Sequence, residues 1–267
     1  MRISASSYAN TAPLVWSFLY GRNHGRVELI LDNAPARSAE LLETKRVDAA
    51  LVPVITYQTL DDILLVPDVC VGAREKVRSV CLVTNGVDLA DVRSVALDVS
   101  SKTSVVLTKI IFREFFEREP EWRDAEPNVE TMLTENDAAL IIGDPALVLS
   151  EPGAVATGLP KRRFFDLAEI WNQHTGLGFV FAMWMTRHAD LDIDFATARD
   201  EGLEHIDEIA ANYAHQTGLD RDAMKDYLTK NISYTPDESM LAGLELYFEL
   251  AGKHGLIENK KPISANS

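Results

Sequence analysis

The chain has 267 residues, of which 46% are hydrophobic and 25% charged, as in a globular protein with a sizeable core. Its 26 basic and 41 acidic residues give a net charge of −15, which disfavours nucleic acid and anionic membranes as partners. No stretch approaches the roughly 18 uninterrupted apolar residues of a membrane span, and no basic-then-apolar leader opens the chain. We therefore expect a cytoplasmic protein.

The stretch Ser6–Leu14 lies between a short strand-like run and an apolar helical pattern. Three polar residues mark this junction: Tyr8, Asn10 and Thr11. In α/β proteins ligands bind outside the carboxyl ends of the strands, so Asn10 is the first candidate for a ligand contact. The alternative is that Asn10 or Thr11 only caps the helix that Pro13 opens, and on this stretch alone the alternative is favoured.

The first part of the chain alternates strand and helix patterns. A strand pattern at Val27–Leu31 is followed by a helical run from Pro35 to Lys45. Val47–Val54 is a nearly continuous apolar run, which is typical of a parallel strand covered on both faces. This order predicts an α/β fold with right-handed parallel connections.

A second strand-and-helix set follows the turn signal at Asn85-Gly86. Further strands are predicted at Ile63–Val71, Val77–Thr84, Val95–Val99, Ala138–Ile142 and Phe179–Met185. We interpret residues 1–86 and 180–267 as one lobe, and residues 87–179 as a second lobe inserted into it. Crossing segments near Gly86 and Gly178 would join the lobes, with a ligand in the cleft between them.

Hydroxyl residues fill the junction Ser100–Ser104, between a predicted strand and a predicted helix. The hydroxyls of Ser101, Thr103 and Ser104, with the free N–H groups of the helix start, can hold a carboxylate or phosphate without a formal positive charge. Such short-range attraction is what an acidic protein needs to bind an anion. The alternative is that Ser101 is only a helix cap.

Five further residues are weaker candidates. Arg78 and Ser79 precede an apolar strand, so one of the two should face the cleft, although both can be ordinary polar residues at a strand start. Asp144 ends a buried strand and can bind a substrate hydroxyl or tie a turn together. Thr175 and Gly176 lie at the second crossing, where they can touch a ligand or simply let the chain bend.

Cofactor and metal motifs are missing from the sequence. It contains no glycine-rich dinucleotide fingerprint, no Walker-type loop, no His-Glu-x-x-His and no Cys-x-x-Cys. The six histidines are scattered, and no two of them have the spacing that shares a helix face. We expect neither a cofactor nor a metal.

Several stretches resemble, in order, the cofactor-independent chorismate dehydratases of the futalosine route to menaquinone. The matching stretches are Tyr8–Leu14, Val47–Pro53, Val77–Val80, Ser100–Val105, Ala139–Leu147, Trp171–Leu177, Phe179–Ala182, Asn231–Tyr234, Gly243-Leu244 and Gly255–Ile257. The resemblance covers nearly the whole chain. It implies a type II periplasmic-binding-protein fold used as an enzyme, a hydro-lyase that removes water from chorismate to leave 3-[(1-carboxyvinyl)oxy]benzoate.

The resemblance also implies roles for the candidate residues. Asn10 and Ser79 would be the catalytic pair, Asn10 by donating hydrogen bonds to developing charge and Ser79, with Arg78, by contacting one carboxylate. The substrate's own enolpyruvyl carboxylate would take the proton. The other residues would bind substrate: Tyr8, Thr11, Ser101, Thr103, Ser104, Asp144, Thr175 and Gly176. Chorismate is the expected partner, and a homodimer stays open.

Two alternative functions remain at the level of sequence. One is a non-catalytic protein of the same fold that binds a small carboxylate; a solute receptor of that kind would normally carry a secretion signal. The other is the related naphthoate synthase of the same pathway, whose opening motif is of a Pro-rich Asn-Asp type.

Overall fold

Two five-stranded sheets form the framework of the computed structural model, which describes residues 1–151, 162–258 and 260–263. The first sheet has the spatial order β2 (Glu28–Asp32), β1 (Arg2–Ser6), β3 (Ala49–Pro53), β10 (Phe179–Thr186), β4 (Leu64–Ala73). The second has the order β7 (Glu121–Ala125), β6 (Ser94–Asp98), β8 (Ala138–Ile142), β5 (Val80–Thr84), β9 (Arg163–Asp166).

Eleven α-helices surround these sheets in the described part of the chain. They are α1 (Ala12–Leu19), α2 (Pro35–Glu43), α3 (Thr56–Thr59), α4 (Lys102–Ile110), α5 (Val129–Glu135), α6 (Gly143–Leu149), α7 (Leu167–Thr175), α8 (Phe195–Glu204), α9 (Ile206–Thr217), α10 (Arg221–Asp226) and α11 (Glu238–Lys253). Among the residues described, no helix combines the length and apolarity that crossing a membrane would require.

The first three strands are parallel, as the sequence predicts. Ile3 of β1 is paired with Leu29 of β2 on one side and with Ala49 of β3 on the other. All five residues of β3 are buried, as is typical of a parallel strand with no solvent-exposed face. The predicted parallel βαβ arrangement is therefore present in the first sheet.

The first crossing between the sheets lies earlier than predicted. β5 (Val80–Thr84) is paired antiparallel with β8 and β9, so it belongs to the second sheet, whereas the sequence analysis placed residues up to 86 in the first lobe. The chain thus leaves the first sheet after Ala73, and Asn85-Gly86 is a turn within the second. The apolar pattern of a strand does not show which sheet it belongs to, because that depends on the strands with which it pairs.

The return crossing lies between α7 and β10. The carboxylate of Asp166 accepts the N–H groups of Ala168 and Glu169 at 3.0 and 3.1 Å and so caps the start of α7. The helix ends at Gly176, whose φ of +70° gives the left-handed C-terminal turn that glycine adopts without strain. Three residues later the chain enters β10, the antiparallel strand between β3 and β4.

Candidate functional site

A cavity lies between the two sheets, and its empty space of about 520 Å³ includes a part that is open to solvent. Its polar lining comes from both sheets: Ser6 at the end of β1 and Tyr8, Asn10 and Thr11 after it, and Ser101, Thr103 and Ser104 at the start of α4. Apolar residues complete the wall, among them Leu51, Pro53, Val71, Val80, Ile142 and Phe181. Six of the eleven predicted site residues therefore meet at one cavity.

The turn after β1 presents Asn10 to the cavity. Ala9–Thr11 forms a single 3₁₀ turn before α1, and the Thr11 hydroxyl closes that turn by donating to the carbonyls of Ser6 and Tyr8 at 2.5 and 2.8 Å. Neither Asn10 nor Thr11 makes a side-chain capping bond to α1 in the described structure. The helix-cap alternative therefore does not account for Asn10, which is only 9% exposed beside the cavity.

The start of α4 forms the opposite wall. Ser101, Thr103 and Ser104 are all buried and line the cavity, and the Ser101 side chain caps no N–H group. The neighbouring Ser100 is occupied differently, because its N–H and its hydroxyl both donate to Asp98 Oδ1, at 2.8 and 2.6 Å. The first-turn N–H groups of α4 and three hydroxyls thus converge on one end of the cavity, as an anion would require.

The side chain of Tyr8, which follows β1 of the first sheet, lies against Gly143 at the start of α6, after β8 of the second sheet. A Cβ built on Gly143 would come within 2.7 Å of Tyr8 Cζ, so only glycine lets the ring lie there, and the φ of +69° also favours glycine. Burial, together with the charges of Asp98 and Asp144, raises the pKa of Tyr8 to about 12. The phenol therefore stays protonated at neutral pH and can donate a hydrogen bond.

Asp144 joins the two sides of the cavity. Its carboxylate accepts the backbone N–H of Ala9, 3.1 Å from Oδ1 and 3.2 Å from Oδ2. Burial raises the pKa of Asp144 to about 6, although the Ala9 bond acts in the opposite direction. Asp144 is not among the residues that line the cavity, so in this geometry it ties the turn after β1 to α6.

Ser79 and Tyr227 form a buried pair of hydroxyls behind Asn10. Neither oxygen has a hydrogen-bond partner among the residues that the structure describes, and both side chains are fully buried. Burial raises the pKa of Tyr227 well above its ordinary value, although the Ser79 and Asn10 side chains near its hydroxyl act in the opposite direction. Tyr227 therefore lies near both predicted catalytic residues, and sequence reasoning missed it.

Tyr227 occupies a wide π-type turn, Tyr227–Asn231, which continues α10. Turns of this kind are often found at functional sites. The signal available in the sequence was an aromatic residue with a polar hydroxyl in an otherwise helical segment. That signal does not separate a site residue from an ordinary core tyrosine.

Five predicted site residues are not among those that line the cavity: Asp144 and Ser79, described above, and Arg78, Thr175 and Gly176. Arg78 donates its backbone N–H to Asp166 Oδ2 at 2.6 Å, and its guanidinium pairs with Glu151. Thr175 donates its hydroxyl to the Trp171 carbonyl at 2.7 Å, as a residue in the last turn of a helix often does. Gly176 is the C-terminal residue of that turn, and space around its Cα is open.

No group of three or more histidine, cysteine, aspartate or glutamate side chains has metal-site geometry within the described ranges 1–151, 162–258 and 260–263. The two cysteines, Cys70 and Cys81, are free and buried. Burial raises the thiol pKa of each, so neither is poised as a thiolate.

The chain is similar to known proteins along most of its length. Residues 1–253 match the model of a family described as menaquinone biosynthesis. The chain is 33% identical over 262 residues to the chorismate dehydratase of Thermus thermophilus, an alignment that covers 92% of this chain and 93% of the relative.

Solved structures with low sequence identity share the fold. Protein AF1704 of Archaeoglobus fulgidus has a TM-score of 0.71 at 19% identity, covering 96% of this chain and 98% of its own. The CA3427 gene product of Candida albicans has a TM-score of 0.68 at 11% identity, covering 98% of this chain and 92% of its own, and is described as having the generic periplasmic binding protein structural fold.

These likenesses confirm the two-lobed, periplasmic-binding-protein-like α/β fold that the sequence predicted. The match to the family model extends over both sheets and their helices, including every residue that lines the cavity. The chain belongs to the menaquinone biosynthesis family.

Proposed function

We propose that this protein is a chorismate dehydratase, a hydro-lyase that acts without a cofactor. The observation that carries the proposal is the cavity in which the hydroxyl-rich start of α4 faces Asn10 across the cleft. The 33% identity to a protein of that name, over nearly the whole chain, supports the same activity.

The substrate carries two carboxylates, and the start of α4 suits one of them. The hydroxyls of Ser101, Thr103 and Ser104 and the N–H groups of the first helical turn donate without needing a basic side chain. In a chain with a net charge of −15, long-range attraction for an anion is absent, so these short-range donors supply the affinity. We place the second carboxylate near Ser79, whose hydroxyl is uncommitted one residue before the cavity-lining Val80.

The reaction breaks one C–H bond and one C–O bond of the ring. The C–H electron pair becomes the new ring double bond, the adjacent hydroxyl departs, and the ring becomes aromatic. We assign the proton to the substrate's own enolpyruvyl carboxylate, which then passes it to the departing hydroxide to complete water. Aromatisation drives this step, so the protein's task is to orient the substrate and stabilise developing charge.

Asn10 is the residue we place at the reacting edge. Its amide N–H can donate to the departing oxygen, but an amide has no proton-accepting role at neutral pH. Tyr8 and Thr11 line the same wall, and Tyr8 remains a neutral donor because its pKa is raised to about 12.

We further propose that the two sheets define two lobes, of residues 1–73 with 179–258 and of residues 80–151 with 162–175. Contacts between them, such as Ala9 with Asp144, would close the cleft over bound substrate and exclude water.

Incubation of the purified protein with chorismate tests the proposal, with products followed by liquid chromatography and mass detection. A product lighter by one water with aromatic absorbance, formed equally in EDTA, is the expected result. Binding without consumption would instead indicate a carboxylate-binding protein. If chorismate neither binds nor reacts, the dehydratase proposal is wrong and the naphthoate step becomes the reaction to assay.

A further inference from the structure

Thr103 lines the cavity at the start of α4. It accepts hydrogen bonds from two groups, one next to a strand of the first sheet and one on a helix packed on that sheet. The hydroxyl of Tyr247, on α11, donates to the Thr103 carbonyl at 3.1 Å. The backbone N–H of Ile55, just after β3, donates to Thr103 Oγ1 at 3.3 Å. Helix α11 packs on β10, so both donors are fixed to the first sheet.

These two bonds orient Thr103 as a donor. A hydroxyl oxygen that already accepts an N–H directs its own proton elsewhere, and no acceptor within the described ranges takes that proton. The Thr103 carbonyl is also occupied, because it accepts the Tyr247 hydroxyl. The free donor capacity of Thr103 is therefore its O–H, at the wall we assign to a carboxylate.

The Tyr247 ring is held firmly enough to serve as a fixed donor. Its side chain is fully buried, and Phe179 packs edge-on against it with ring centroids 5.1 Å apart and planes at 81°. The ring of Phe248 also packs against it, with the ring centroids 5.6 Å apart. Removing only the hydroxyl would leave this packing in place.

We infer that Tyr247 is a positioning residue for substrate binding: through Thr103 it fixes the anion-binding start of α4 at a set distance from Asn10. The inference rests on the proposed function, because the carboxylate is that of chorismate. It assigns to α11, an element outside the cavity lining, control over where the carboxylate is held.

The test compares Tyr247→Phe with Tyr234→Phe in the full-length protein. Tyr234 is a matched control, because it is also a buried tyrosine, and its hydroxyl has no hydrogen-bond partner in the part of the chain that the structure describes. For Tyr247→Phe we expect KM for chorismate to rise about 3- to 10-fold while kcat stays within about twofold, as loss of uniform binding predicts. Tyr234→Phe should leave both constants unchanged.

Hydrogen–deuterium exchange provides a readout that does not depend on turnover. Amides of residues 101–105 should exchange faster in Tyr247→Phe than in wild type and at the wild-type rate in Tyr234→Phe. Unchanged exchange in Tyr247→Phe overturns the inference, as does a fall in kcat at constant KM or an equal rise in KM in the control. If wild type does not convert chorismate, the proposed function fails, and the exchange comparison alone decides whether Tyr247 fixes the start of α4.

Discussion

The backbone N–H of Ala9 donates to the carboxylate of Asp144 across the cleft, 3.1 Å from Oδ1 and 3.2 Å from Oδ2. One partner follows the first strand of the first sheet, and the other lies in α6, after β8 of the second sheet. The bond therefore connects the turn that carries Asn10 to the opposite lobe. Burial raises the pKa of this carboxylate to about 6. The free energy of unfolding therefore depends on pH.

Asp144→Asn should stabilise the protein at neutral pH. Because the folded pKa of Asp144 lies above the ordinary value of 3.8, the folded chain holds this proton more tightly than the unfolded chain does. Its contribution to the free energy of unfolding is therefore full below about pH 4 and is lost as the pH rises through about 6. Asparagine keeps an acceptor for Ala9 without the charge, so we expect a gain of roughly 1–3 kcal/mol at pH 7.5 and little at pH 4.

Urea unfolding of wild type and Asp144→Asn at the two pH values measures this difference. Asp192→Asn is the control, because that carboxylate is 96% exposed and only loosely paired with Arg26. A loss of stability in Asp144→Asn at pH 7.5 would mean that the charge, rather than the oxygen acceptor, holds the lobes together.

Gly143→Ala should cost more than the same change at Gly218. Both glycines have a positive φ, +69° and +75°, so alanine pays a backbone cost of about 1 kcal/mol at either site. Only at Gly143 does the new methyl group meet a neighbour, the Tyr8 ring at 2.7 Å. We expect Gly143→Ala to displace Tyr8 and lower kcat/KM for chorismate at least about 10-fold.

Thermal unfolding and steady-state kinetics of the two variants separate these effects. Gly218→Ala should show the stability loss with wild-type kinetics. Equal kinetics in both variants would show that the position of Tyr8 does not matter for turnover.

The sequence predicted the strands that line the cleft better than it predicted their sheets. The apolar run Val47–Val54 contains β3, and Ala138–Ile142 coincides with β8, because fully buried strands have an unmistakable composition. β5 was predicted in the first lobe but lies in the second sheet, because the sequence of an apolar strand does not indicate which strands it pairs with. β7 and β9 carry charged residues and lie at the edges of the second sheet, so neither shows the continuous apolar run of a buried strand.

Some residues of the candidate site could likewise be predicted from the sequence, and others could not. Asn10 and the Ser100–Ser104 junction were recognisable because a strand end beside a helix start is a local pattern. Tyr227 and Tyr247 lie in helical segments far along the chain, and only the tertiary structure brings them near Asn10 and Thr103. Thr175 had the right local pattern, yet its hydroxyl is used within its own helix.

Ser79→Ala should separate activity from stability. The Ser79 hydroxyl is buried without a hydrogen-bond partner among the described residues, so its removal should change the free energy of unfolding by less than about 0.5 kcal/mol. Because we place it beside a substrate carboxylate, kcat/KM for chorismate should fall about 10-fold or more.

Ser38→Ala is the reciprocal control for this variant. The Ser38 hydroxyl is also buried, but it is hydrogen-bonded to Ser4 Oγ at 2.8 Å, on the α2 side of the first sheet. Its loss should cost about 1 kcal/mol of stability with kinetics unchanged. Wild-type kcat/KM in Ser79→Ala would remove Ser79 from the site.

Asn10→Ala is the most demanding test of the proposed chemistry. If the amide donates to the departing oxygen only as charge develops, its removal should lower kcat about 10²- to 10³-fold with a much smaller change in KM. Asn128→Ala removes an amide of the same kind from the start of α5, where it accepts the Thr131 N–H at 3.0 Å, and it should cost about 1 kcal/mol of stability without lowering kcat. Initial rates of aromatic product formation at saturating chorismate give kcat for both variants. If Asn10→Ala turns over chorismate at the wild-type rate, the charge-stabilising role fails and the start of α4 becomes the place to look for the catalytic donor.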